Sequence, residues 1–161
     1  MTVGIVGLGL IGGSMAKSIK RCTRHTVLGM DASETAMLKA ELVGAIDRRL
    51  EEKDLAGCDV VIVALYPRDC VEYICTHAPL FREGALVVDC AGVKRYVCDA
   101  LFGSLAAAQF TFMGGHPMAG REFSGFDYAK DDLFENASMI LVPAPGTGVA
   151  VAALSGGIAV Y

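Results

Sequence analysis

Three glycines near the start of the chain, Gly7-x-Gly9-x-x-Gly12, stand between an apolar run (Val3, Ile5, Val6) and a helix-forming run, 14–20. Strand, glycine turn and helix in that order form a site for a dinucleotide pyrophosphate. Gly7 permits the tight turn, Gly9 lets a phosphate approach the backbone, and Gly12 lets the helix pack closely on the strand. The helix start adds free N–H groups and the positive end of its dipole. Gly7, Leu8, Gly9, Leu10, Ile11 and Gly12 are therefore the expected phosphate contacts.

A carboxylate supports the pattern. Asp31 closes a second apolar run, 26–30, and lies 19 positions after Gly12, close to the spacing of about 20 that places an acid on the adenosine ribose. There it would accept hydrogen bonds from the ribose hydroxyls and repel a 2′-phosphate, so the expected cofactor is NAD rather than NADP. The competing role for Asp31 is the N-cap of a helix that begins near Ser33-Glu34.

His116 is the candidate base. It lies in Met113-Gly114-Gly115-His116-Pro117-Met118-Ala119-Gly120, where small residues crowd round it. Histidine is the side chain that ordinarily exchanges a proton near neutral pH, which is what oxidation of an alcohol by a nicotinamide requires. The bland alternative is a loop histidine that caps local backbone. A further loop, 89–94, offers Gly92 and Lys94. Lys94 could hold an anionic substrate or simply pair with Asp89. Cys90 lies in the same loop, but hydride chemistry on an alcohol needs no thiol nucleophile. His25 and His77 read as surface residues on the opposite edge, and Arg121 and Glu122 as solvated charges.

Alternating elements would position these groups. Strands are expected over 2–6, 26–30, 59–65, 84–89, 109–113 and 138–142, the third a continuous apolar run of the kind buried parallel strands show. Helices are expected over 14–20, 32–42 (with Gly44 at its C-terminal cap), 68–77 and 93–108. Residues 51–54 read as a solvated turn, and 114–125 as a glycine-rich loop. Strand–helix alternation predicts an α/β, Rossmann-type doubly wound, mainly parallel sheet with right-handed crossovers. In such a sheet ligands bind beyond the carboxyl ends of the strands. That rule selects 7–12, Asp31, Leu65-Tyr66-Pro67, 89–94 and 114–120, so Leu65, Tyr66 and Pro67 join the expected cofactor contacts.

Bulk properties narrow the function. The 161 residues suit one domain with a real core, and 53% hydrophobic content with 19 glycines and no tryptophan suits a tightly packed α/β fold. The net charge of −4, without a Lys/Arg run, argues against nucleic acid and anionic membrane as partners. The apolar stretch 140–161 is broken by prolines and glycines, which argues against a membrane helix. Six cysteines without a Cys-x-x-Cys pair make a metal site unexpected. Without a secretory signal they read as reduced thiols, mostly buried, in a cytoplasmic protein.

Val3–Ser14, Asp89-x-x-x-Val93-Lys94, and Gly114-Gly115-His116-Pro117-Met118-Ala119-Gly120-Arg121-Glu122 together resemble the prephenate/arogenate dehydrogenase family. Ser124-Gly125-Phe126 and Leu133-Phe134-Glu135-Asn136 follow the same pattern, so the likeness covers about residues 2–143 in order. The resemblance implies NAD-dependent oxidative decarboxylation of prephenate or arogenate in tyrosine biosynthesis. It makes His116 the catalytic base, and Gly92, Lys94 and His116 the substrate contacts. Gly92 stands where the family often has a serine that holds the substrate hydroxyl. Members of the family also carry a C-terminal all-helical domain, which completes the pocket and forms a homodimer. The expected organisation here is an NAD-binding domain over 1–145 and an atypical Gly/Ala/Val-rich tail over 146–161, with the helical domain absent. Two other functions compete. A catalytically silent NAD-binding module would need no base, and a β-hydroxyacid dehydrogenase-like domain would share the glycine turn but leave Gly114–Pro117 unexplained.

Overall fold

The continuous apolar runs become the centre of one seven-stranded sheet in the computed structural model, which describes residues 1–144. The expected tail over 146–161 lies outside the described residues. In chain order the strands are β1 (Thr2–Val6), β2 (Thr26–Met30), β3 (Arg48–Arg49), β4 (Val60–Val63), β5 (Leu86–Asp89), β6 (Thr111–Pro117) and β7 (Met139–Pro143). Their order across the sheet is β3-β2-β1-β4-β5-β6-β7. All pairs are parallel except β6–β7. The fold is Rossmann-like, as the alternation of elements predicts. Strand order reverses at β1, between β2 and β4, and that switch opens a crevice at the carboxyl ends.

Among the described residues four helices cover the sheet: α1 (Leu10–Cys22), α2 (Glu34–Leu42), α3 (Pro67–His77) and α4 (Lys94–Ser104). Two cores form, one on each face. Ala16 of α1 and Met37 and Ala40 of α2 pack with Val3, Ile5 and Val27. Cys70 and Ile74 of α3 and Val97 and Leu101 of α4 pack with Val61, Val63 and Val87. β4 shows the period of two: Val61 and Val63 face the second core, while Val60 and Ile62 lean on the first. Among the described residues no helix is long and apolar enough to cross a membrane.

Local signals explain the helix ends. Pro67 opens α3, where its missing N–H costs nothing. Past α2, Gly44 takes a positive φ of 67°; its N–H donates to the Glu41 carbonyl and the Ala45 N–H to the Ala40 carbonyl, a Schellman closure.

The structure corrects several expectations. Residues 114–117 are strand and not loop, because β7 runs antiparallel beside them, with Gly115 opposite Leu141 and His116 opposite Ile140. The two glycines there serve packing. A Cβ on Gly114 would lie 2.6 Å from the Cys98 Sγ, and one on Gly115 would lie 2.4 Å from the Asp89 carbonyl oxygen. α1 begins at Leu10, so Gly12 lies within its first turn. α4 ends at Ser104, short of 108. The solvated turn is a 3-10 helix, Glu52–Gly57, that buries Leu55. β3, two residues long, has too little pattern to read from sequence.

After β6 the chain crosses the sheet and lies along α1 as a strap. Phe126 and Ala129 are buried in the first core. Lys17 Nζ donates to the Ala129 carbonyl at 2.7 Å, Ser18 Oγ to the Asp131 carbonyl at 2.7 Å, and the Lys130 N–H to Ser14 Oγ at 2.9 Å. Ser14, fully buried, also donates to the Leu10 carbonyl at 2.6 Å, so its hydroxyl is satisfied.

Candidate active site

The crevice at the switch point is a cleft of about 640 Å³. Its floor is the glycine turn. Gly7, with φ 88°, sits where a Cβ would meet the Ala64 carbonyl oxygen at 2.6 Å. A Cβ on Gly12 would come within 1.8 Å of the Gly7 carbonyl oxygen, so only glycine lets α1 start against the turn. Gly9 differs: nothing lies within 4 Å of a Cβ there, and the position opens onto free space. Gly7 and Gly12 thus shape the turn, and Gly9 keeps its outer side clear. That is the cradle a pyrophosphate fits.

Asp31 anchors one end of the cleft. Its Oδ2 accepts the Leu8 N–H at 2.7 Å and its Oδ1 the Ser33 N–H at 2.8 Å. The N-cap of α2 is Ser33, whose hydroxyl accepts the Ala36 N–H at 3.3 Å. Asp31 is therefore not the cap. It fastens the glycine turn to the end of β2 and still lines the cleft.

Leu65, Tyr66, Pro67 and Gly92 line the other end, beyond β4 and β5. Cys90 lies there too, buried, and burial pushes its thiol up to about 12. A thiol so raised stays protonated at neutral pH. His116 stands beside Gly92: a Cβ on Gly92 would lie 3.3 Å from the His116 Cε1. The Nδ1 of His116 is buried without a hydrogen-bond partner among the described residues. A buried polar atom of this kind normally has a partner, and so it calls for one from a bound molecule or water.

Asp89 positions this end. It is fully buried at the end of β5. Its Oδ2 accepts the Ala91 N–H at 2.9 Å and its Oδ1 accepts the Gly115 N–H at 3.1 Å, next to His116. Lys94 folds back to complete the carboxylate with an ion pair. One side chain thus fixes both the 90–92 loop and the end of β6. Of the two roles open for Lys94, the structure realises the pairing with Asp89.

The structure brings Gly7–Ile11, Asp31, Leu65–Pro67 and Gly92 onto one cleft, with His116 at its edge; Gly12 lies beneath the turn. His77 departs from expectation. Its side chain is only 14% exposed, stacked on Tyr73 at 4.0 Å between centroids, with Nδ1 2.8 Å from the Tyr73 carbonyl. Sequence reasoning missed the strap residues Ser124–Asp127, which form a wall of the cleft, and Lys39 of α2 opposite them. Lys39 Nζ donates to both Asp127 oxygens, at 2.5 and 2.8 Å. No local pattern marks this contact, which joins residues 88 positions apart.

Residues 15–155 match the family model described as prephenate dehydrogenase, nucleotide-binding domain. The chain belongs to that family. It is 34% identical over 153 residues to a prephenate dehydrogenase of Bacillus subtilis, covering 91% of this chain and 40% of that one. Among solved structures, an arogenate dehydrogenase of Synechocystis superposes with a TM-score of 0.90 at 27% identity, over 100% of this chain and 59% of that one. A prephenate dehydrogenase of A. aeolicus in complex with hydroxyphenyl propionate and NAD+ superposes with a TM-score of 0.80 at 32% identity, over 90% and 51%. The chain thus spans about 40% of the curated relative.

Proposed function

We propose that residues 1–145 form an NAD-binding domain that supplies the base for oxidative decarboxylation of prephenate or arogenate. The observation that carries this reading is the single cleft running from Asp31, over the open backbone at Gly9, to Gly92, with His116 at that far edge. The A. aeolicus relative, 32% identical, was solved with NAD+.

The glycine turn and the start of α1 hold the pyrophosphate through N–H groups. Asp31, fixed by the Leu8 and Ser33 N–H groups, presents remaining lone pairs to the adenosine ribose. NAD, when bound, supplies the hydride acceptor. His116 takes the proton of the ring hydroxyl as the carbinol carbon is oxidised, and loss of CO2 then makes the ring aromatic. Asp89, through the Gly115 N–H, keeps His116 facing Gly92. Lys94, proposed from the resemblance as a substrate contact, lies in an ion pair with Asp89, which also holds the 90–92 loop. A β-hydroxyacid dehydrogenase reading gives no role to His116.

The test is a calorimetric titration of NAD into this chain, followed by NADH formation from prephenate or arogenate with the domain joined to a family C-terminal helical domain that completes the pocket. NAD should bind, and His116→Asn should keep its affinity within about twofold while lowering turnover by about 10²–10⁴. A chain that binds no NAD at millimolar concentration refutes the cofactor assignment. Equal turnover in the Asn variant refutes the base.

A further inference from the structure

The adenosine end of the cleft carries a charge arrangement that Asp31 alone does not explain. Three carboxylates line the cleft: Asp31, Asp69 and Asp127. Lys39 is the one cation among the described lining residues. It projects from α2 a turn beyond Ala36, and helical side chains lean back over the preceding turn, here Thr35 and Ala36, which line the same cleft as Asp31. Its ammonium is nevertheless taken, held by both oxygens of Asp127. Asp127 is itself held in place. Its neighbour Phe126 is buried against Gly13, where a Cβ would meet the ring at 2.8 Å, and Lys17 lies over that ring at 4.7 Å.

We propose that Asp127 is a second determinant of dinucleotide choice: by holding Lys39 it withdraws from a ribose 2′-phosphate the one cation among the described residues that line the cleft. The inference rests on the dinucleotide reading above and deepens it. A 2′-phosphate brings nearly two negative charges at neutral pH. In this cleft it would meet Asp31, and to recruit Lys39 it would have to displace Asp127 and leave that carboxylate facing it. An unphosphorylated ribose meets neither obstacle. The Lys39–Asp127 pair is exposed, 43% and 64% at the side chains, so it adds little to fold stability and its removal should leave the domain intact.

The test measures NAD, NADP, 5′-AMP and adenosine 2′,5′-bisphosphate by calorimetry against the wild type, Asp127→Asn, Asp31→Ser, the double variant, and Asp127→Asn with Lys39→Met. Far-UV circular dichroism checks each fold. Asp127→Asn should tighten NADP and the bisphosphate about tenfold, the scale of one charge-assisted hydrogen bond partly open to water, and leave NAD within about twofold. Asp31→Ser should add to that gain, Lys39→Met should cancel it, and salt should shrink it. An NADP-to-NAD ratio unchanged within twofold in Asp127→Asn overturns the proposal, as does a gain that survives Lys39→Met. In both cases NAD still binds and the dinucleotide reading stands. A wild type that binds neither NAD nor 5′-AMP overturns both.

Discussion

Lys94→Met separates two roles for the residue that opens α4 behind the 90–92 loop. Asp89 is fully buried and accepts two backbone N–H groups, while Lys94, 15% exposed, supplies its counter-charge. Removing the ammonium leaves a carboxylate that cannot swing out to water. Breaking a buried pair in this way costs about 3–5 kcal/mol. For a domain of this size each kcal/mol moves Tm by about 2–4 °C, so the variant should melt roughly 6–20 °C below the wild type. Urea unfolding followed by far-UV circular dichroism gives the free energy directly. The double variant Asp89→Asn/Lys94→Met removes both charges, and it should recover at least about 2 kcal/mol relative to the sum of the single changes. If Lys94→Met shifts stability by less than about 0.5 kcal/mol, the usual range for a surface substitution, Asp89 does not depend on Lys94. Lys94 would then be free to hold a substrate carboxylate.

Two glycine substitutions should part company. Gly12→Ala drives a methyl into the Gly7 carbonyl oxygen and should cost more than about 3 kcal/mol, read by urea unfolding, whereas Gly9→Ala meets open space and should leave stability within about 1 kcal/mol while weakening NAD at least tenfold in calorimetry. Thiol labelling should be biphasic: Cys22 and Cys75 are exposed and react fast, while Cys58, Cys70, Cys90 and Cys98 are buried and react only as the domain opens. Burial pushes the Cys58 thiol up to about 11 and the Cys90 thiol up to about 12, so the unfolded chain loses these protons first as pH rises. Stability from these groups is complete below about pH 8.5 and falls through pH 9–12; urea midpoints that stay flat between pH 8 and 10.5 would contradict this.

Elements that announce themselves by a local rule were legible in the sequence, and contacts made by distant segments were not. The glycine turn, the apolar strands and the residues just past their ends follow from spacing and from the carboxyl-edge rule, and Gly7–Ile11, Asp31, Leu65–Pro67 and Gly92 do share one cleft. Gly114 and Gly115 misled because glycine has two uses. It frees a loop, but it also lets a strand press against a neighbour, and here Cys98 Sγ and the Asp89 carbonyl decide for the second. β7 settles the matter by pairing with β6 in a direction that strand–helix alternation does not encode. The 89–94 loop left Lys94 with two roles because one positive charge suits either an internal or an external anion. The choice follows from the depth of Asp89, a property of the folded sheet. The Lys39–Asp127 wall is the clearest case. Each residue alone is an ordinary exposed charge, and their meeting depends on a strap pinned to α1 by Ser14, Lys17 and Ser18. The floor of the cleft is therefore written locally in the glycine turn, while the side that could select among nucleotides is assembled by tertiary packing.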